Sequence, residues 1–143
     1  MGVLVILLFG ILSAKADSSD TVCPYYQQKS LELGCEDTNY LSVFGYHYCQ
    51  IFVDVQSQFT PEGAAVFSSI RNCLIESLRN EPDLTCENAR ARAETHHVEC
   101  YRASGYCNIG TYDRWTVFRH IWPELLDSGF RGVVGQIHDN CAH

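Results

Sequence analysis

The sequence predicts an all-α, disulfide-stapled domain of about five to six helices, and three observations carry that expectation. Apolar residues recur at helical spacing in successive segments. Most of the eight Cys lie on or beside those stripes. The whole is only 143 residues long at 46% hydrophobic content, which suffices for one small core that benefits from covalent ties between helices.

Met1 to Leu12 is an apolar run followed by Ser13-Ala14-Lys15-Ala16, whose Ala-x-Ala pattern suits signal peptidase. Residues 1–16 are therefore expected to be a signal peptide, although the run lacks a preceding Lys or Arg. At about a dozen residues it falls short of the roughly 20 that cross a bilayer. Residues 17–143 are expected to be secreted and extracellular, as one disulfide-rich helical domain without linker or internal repeat. Removing Lys15 leaves nine basic side chains against seventeen acidic ones. Such an excess repels phosphate backbones and anionic lipid, so neither nucleic acid nor membrane insertion is expected.

Cys23-Pro24-Tyr25 opens the first helix, with Pro where its missing N–H costs nothing; Leu31 and Leu33 form its apolar edge and Gly34 its stop. From Tyr40 to Phe59, Leu41, Phe44, Tyr48, Ile51, Phe52, Val55 and Phe59 recur at helical spacing, although Ile51, Val53 and Val55 also allow a strand. Thr60-Pro61-Glu62 is an N-cap, a first-turn Pro and an acid at the positive helix end. Behind it Val66, Phe67, Ile70, Cys73, Leu74 and Leu78 form one stripe; Arg71, Asn72, Glu76 and Arg79 are expected to face water, and Glu81-Pro82 ends the run. Glu87 to Ser104 puts Ala89, Ala93, His96, Cys100 and Ala103 on one side, where small residues favour close packing. Trp115, Phe118, Ile121, Trp122 and Leu125 mark a helix interrupted by Pro123. Phe130, Val133, Val134, Ile137 and Cys141 mark the last, weakened by Gly129, Gly132 and Gly135.

The chemistry-bearing residues point away from catalysis. Steps between Cys of 12, 14, 24, 13, 14, 7 and 34 residues fit no structural zinc pattern. His96 and His97 diverge by about 100° on a helix and read as helix-surface or helix-packing residues. His47, His120, His138 and His143 are scattered, and no calcium-binding loop is present. His138-Asp139 is similar to the His-Asp pair of secreted phospholipases A2, but the Gly-rich calcium loop and Cys pair of that family are missing upstream. No G-x-S-x-G elbow or N-x-S/T glycosylation site occurs. The expectation is a non-enzyme with no catalytic residue, no metal and no cofactor.

The stretch Phe59-x3-Gly63-x9-Cys73, then Cys86, then Glu99-Cys100-Tyr101-x5-Cys107 resembles the stanniocalcins, secreted glycoprotein hormones of calcium and phosphate regulation. The steps Cys49 to Cys73, Cys86 to Cys100 and Cys100 to Cys107 are similar to those of the family, as is Lys29-Ser30-Leu31-Glu32-Leu33-Gly34-Cys35. Stanniocalcins carry eleven Cys, ten in five intrachain bridges and one joining two subunits. Here Cys141 resembles the last intrachain Cys and nothing follows that resembles the dimer Cys, so no covalent dimer of the family type is expected. Two further family Cys are missing between Cys35 and Cys49. The resemblance implies the bridges Cys35–Cys49, Cys73–Cys100 and Cys107–Cys141. Cys23 and Cys86, each similar to a Cys whose family partner is lost, are then expected to pair with each other.

The resemblance implies a secreted, non-enzymatic, hormone-type signalling protein, with calcium or phosphate homeostasis as its field and a protein receptor or binding partner. Family members also inhibit pappalysin metalloproteinases, a partner that no residue here singles out. The alternative is a venom or secretory-gland polypeptide on the same scaffold, since short stapled domains suit that role.

Overall fold

The computed structural model describes residues 22–142. The expected signal peptide, residues 1–16, lies outside the described residues. Among these the chain forms six α-helices and no strand: α1 (Pro24–Glu32), α2 (His47–Asp54), α3 (Pro61–Arg79), α4 (Ala89–Ala103), α5 (Thr111–Ile121) and α6 (Ser128–Asp139). A π-helical turn, Leu41–Tyr46, precedes α2, and 3-10 turns at Gln56–Gln58, Tyr106–Asn108 and Trp122–Leu126 join later helices. The expected all-α class is the one observed.

Pro24 opens α1 as anticipated, and Gly34 closes it in the left-handed conformation at φ +68°. The N–H groups of Gly34 and Cys35 donate to Leu31 O and Ser30 O, both at 3.0 Å, which satisfies carbonyls the helix end leaves free. The inward edge differs from the expected one. Cys23, Tyr26 and Ser30, at i, i+3 and i+7, turn inward, whereas Leu31 is 75% exposed.

The single helix expected over Tyr40–Phe59 divides into the π turn, α2 and a 3-10 turn. Asn39 Oδ1 caps the start, accepting from Leu41 N at 2.9 Å. The widened turn resets the helical phase so that Leu41, Cys49 and Phe52 all point inward. Gly45 lies under the Tyr26 ring, and any Cβ there would stand 2.6 Å from Tyr26 Cδ1.

In α3 the expected cap is present, with Thr60 Oγ1 accepting from Gly63 N at 3.1 Å. Phe67, Ile70, Leu74 and Leu78 are buried as the stripe required. Arg71 is not on the water-facing side expected of it: it is only 6% exposed. Its guanidinium donates to Phe52 O at 3.4 Å and Gln56 Oε1 at 2.9 Å. A cation there meets the negative end of α2, which repays the burial that lowers its pKa.

α4 begins two residues later than expected, because Thr85 and Asn88 exchange side chain-to-backbone hydrogen bonds of 2.8 and 3.2 Å across the preceding turn. Ala89, Ala93 and Cys100 are buried, whereas Ala103, in the last turn, is exposed. Asp127 starts α6, accepting from Phe130 N at 2.8 Å, and its carboxylate also binds Arg90 of α4 at 2.6 Å.

The buried residues form two cores. One gathers Cys23, Tyr26, Leu41, Cys49, Ile75, Leu78, Leu84, Ala89 and Ala93. The other gathers Phe52, Phe59, Phe67, Ile70, Leu74, Tyr106, Ile109, Val117, Val133 and Ile137 around Cys100. All eight Cys are bridged. Cys73–Cys100 and Cys107–Cys141 are the pairs expected. The other two correct the expectation: Cys23 pairs with Cys49 and Cys35 with Cys86, in place of Cys35–Cys49 and Cys23–Cys86. The reason is geometric. The close packing of Tyr26 on Gly45 lays α1 over the π turn that leads into α2, which brings Cys23 to Cys49, whereas the turn at Gly34 sends Cys35 toward the loop between α3 and α4. Both pairs have Cα atoms 5.6 Å apart, within the reach of a disulfide.

Candidate functional site

The position of α5 decides the chemistry of the second core. Asp113, in its first turn, is 1% exposed and accepts from both Thr60 N at 2.8 Å and Thr60 Oγ1 at 2.6 Å. This carboxylate pins α5 to the N-terminal end of α3, where the helix dipole favours negative charge. It also explains Gly63, because a Cβ at that position would collide with the Asp113 carboxylate. Thr116 and Val117 complete the inward face of α5.

With Asp113 and Val117 inside, the aromatic positions of α5 are turned out or sideways. Tyr112 is 59% exposed, Trp115 57% and Trp122 58%. Trp115 stacks on Phe118 at 5.4 Å, and Phe118 meets the Trp122 ring edge to face at 5.2 Å. The residues that mark a helix by their spacing thus form a continuous aromatic surface.

Beneath this surface runs a cleft of about 260 Å³ between α2, α4, α5 and α6. Phe44, Phe52, Phe118, Val133 and Ile137 make its walls apolar. Three polar groups converge on it. His97 of α4 hydrogen-bonds through Nδ1 to Ala93 O at 2.7 Å. A carbonyl only accepts, so Nδ1 carries the proton, and burial holds the imidazole pKa below its ordinary value against the opposing Ala93 bond. Nε2 is left as an acceptor. His138 of α6 meets the Tyr106 ring edge to face at 6.0 Å.

The third group is Arg114. Its guanidinium donates to Cys107 O at 2.6 Å, the only side-chain hydrogen bond it makes among the described residues, while its buried Nε has no acceptor. The guanidinium lies over the Tyr106 ring at 5.6 Å. A second space of about 60 Å³ adjoins the cleft, sharing Phe44, Tyr48, Phe52, His97 and Tyr101 with it and reaching toward Tyr26 and Leu78.

The sequence-derived candidates fall in two groups. All eight Cys serve as structural bridges. His96 bonds Glu81 Oε2 at 2.9 Å, tying α4 to the loop after α3, and His97 stacks on Tyr101, so both pack as anticipated. No group of three or more His, Cys, Asp or Glu among the described residues is placed to hold a metal ion. His138, read as one half of a chance His-Asp pair, instead lines the cleft. Arg114 was not singled out by the sequence. Its one signal was a cation set between Asp113 and Trp115 in an aromatic-rich helix.

No helix of the described residues is long and apolar enough to cross a membrane. Compared with protein-family models, with curated proteins and with solved structures, the chain matches none.

Proposed function

We propose that this chain is an exported, non-enzymatic signalling protein of stanniocalcin type, acting outside the cell by binding a protein partner. The observation that carries the reading is the cysteine framework. Three of its steps are similar to those of the stanniocalcins, and all eight thiols are consumed in four bridges, as an oxidising compartment favours. The exposed aromatic face of α5 supplies what a partner surface needs: rigid, amphipathic side chains with area to bury.

The experiment is secretion followed by a cell response. Full-length chain expressed in cultured animal cells is expected in the medium with Asp17 at its N-terminus and no free thiol, by intact mass and alkylation. The purified protein, added to epithelial cells, is expected to change calcium or phosphate uptake in a dose-dependent manner, and reduced, alkylated protein to be inert. Retention in the cytosol with free thiols sinks the exported part of the reading. An inert secreted protein whose transcript is confined to a venom or salivary gland replaces hormone with gland product.

A further inference from the structure

We propose that the cleft under α5 binds a lipophilic carboxylic acid of about ten to twelve carbons, its chain among the aromatic walls and its carboxylate on Arg114. The size follows from the volume. An apolar cavity of about 150 Å³ holds benzene, six carbons, so by proportion 260 Å³ holds about ten and the further 60 Å³ about two more. Apolar walls with a few converging polar groups are the usual makeup of a small-molecule site.

The acid follows from charge. A guanidinium is always ionised and accepts no proton, so its counterpart must be an anion or a hydrogen-bond acceptor. Arg114 has no carboxylate within ion-pair reach among the described residues and spends one donor on Cys107 O. Arg79, Arg90 and Arg92, by contrast, each pair with Glu or Asp, Arg102, Arg119 and Arg131 are exposed to water, and buried Arg71, which also lacks a carboxylate, has its guanidinium taken up by Phe52 O and Gln56 Oε1. In a chain of net charge −7, long-range attraction works against any anion. A carboxylate is therefore drawn only where a cation stands without a counter-ion beside low-dielectric walls, and there the charge-assisted bond is strong. His97 does not compete for that role. Its proton is held by Ala93, and the Nε2 lone pair repels a carboxylate, which orients the acid toward Arg114 and the chain toward the deeper space.

The test is isothermal titration of the oxidised, secreted protein at neutral pH with four probes: decanoate, 1-decanol, decylamine and butyrate. Decanoate is expected to bind at least about tenfold more tightly than decanol, the scale of a charge-assisted bond, with decylamine and butyrate weaker still. Arg114→Gln is expected to bring decanoate and decanol within about twofold of each other while decanol itself binds as before. Decanol binding as tightly as decanoate, an Arg114→Gln protein that keeps the preference, or no heat from any probe overturns the proposal. If that variant is not secreted, the ranking of the four probes on the unmodified protein decides alone. Failure here leaves the signalling reading standing, because secretion and cell response are measured separately.

Discussion

The two cores of this molecule are built on opposite plans. Around Cys23 and Cys49 the chain is closed: Gly45 and Ala93 are small enough for helices to touch, α1 ends on a left-handed Gly34, and two bridges converge on the same end. Around α5 the residues are large and aromatic, two rows of rings leave a cleft between them, and Gly132 and Gly135 of α6 border open space. The difference teaches where a small domain can leave room. Each core carries two of the four bridges, so the difference lies in the packing: small residues let one end close, and the other, where α5 is clamped through Asp113 and the walls are rings, keeps a cavity.

The largest expected effect comes from opening the closed end. Replacing Cys35 and Cys86 together by Ala removes a bridge across 51 residues. The chain-entropy relation puts its contribution at about 4 kcal/mol, a large part of the stability of a domain this size. The doubly substituted protein is expected to unfold at much lower denaturant, measured by circular dichroism. Non-reducing peptide mapping of the unmodified protein should recover Cys23 linked to Cys49. Recovery of Cys23 linked to Cys86 would overturn the pairing of these four Cys.

Next is the clamp. Gly63→Ala places a methyl group against the buried Asp113 carboxylate, and overpacking of that kind costs about 1–3 kcal/mol. Asp113→Ala leaves Thr60 N–H and its hydroxyl without their acceptor, at about 1.5–3 kcal/mol for hydrogen bonds to a charged group. The two changes act on one contact, so the double variant is expected to lose less than the sum. Additive losses would show that a methyl group at position 63 does not meet the Asp113 carboxylate.

How much of this was legible beforehand depends on what kind of interaction placed each residue. Pro61, Gly34 and Pro123 act through their own backbone and Thr60 through a hydroxyl that caps an N–H three residues on, so each was readable where it stands. The stripe from Phe67 to Leu78 was equally plain, because helical periodicity reports burial when a helix has one neighbour face. Arg71 defeated that rule because its partners, Phe52 O and Gln56, belong to another helix end. The bridges of Cys23 and Cys35 were misjudged for a related reason: pairing by retained family neighbours ignores that Gly45 lets α1 pack over the π turn that leads into α2. The cleft was hidden most deeply. Trp115, Phe118 and Trp122 have the spacing of a core stripe, and only the burial of polar Asp113 and Thr116 on the opposite face turns them outward.

On the open side two small changes should strengthen the molecule. Gly132 and Gly135 lie inside α6, and a Cβ at either meets nothing within 4 Å. Gly in a helix interior costs roughly 0.5–1 kcal/mol relative to Ala. Gly132→Ala and Gly135→Ala are each expected to raise the Tm by a few degrees, about the shift that 0.5–1 kcal/mol produces. A loss of stability would show that the open space beside α6 is occupied in solution.

The smallest effect concerns the tie between α6 and α4. Asp127 accepts from Phe130 N and from the Arg90 guanidinium, and these two bonds, the backbone one foremost, hold its carboxyl below the ordinary value of 3.8. A carboxyl whose folded pKa is depressed adds stability that is fully present above its unfolded value and is lost as pH falls through the folded value. The α6 contribution is therefore constant from neutral pH down to about 5 and declines below 4. Because Asp127 stands in water, the loss is local, and amide hydrogen exchange is the measurement that resolves it. Protection of the α6 amides is expected to fall as the pH drops below about 4, while that of the α1 and α2 amides, bridged at Cys23–Cys49, changes less over the same window. In an Asp127→Asn protein the amide oxygen still caps Phe130 but does not titrate, so the extra decline in α6 should vanish. Persistence of the decline in that variant would move the pH sensitivity elsewhere in α6 and remove Asp127 from the account of how the open end is held.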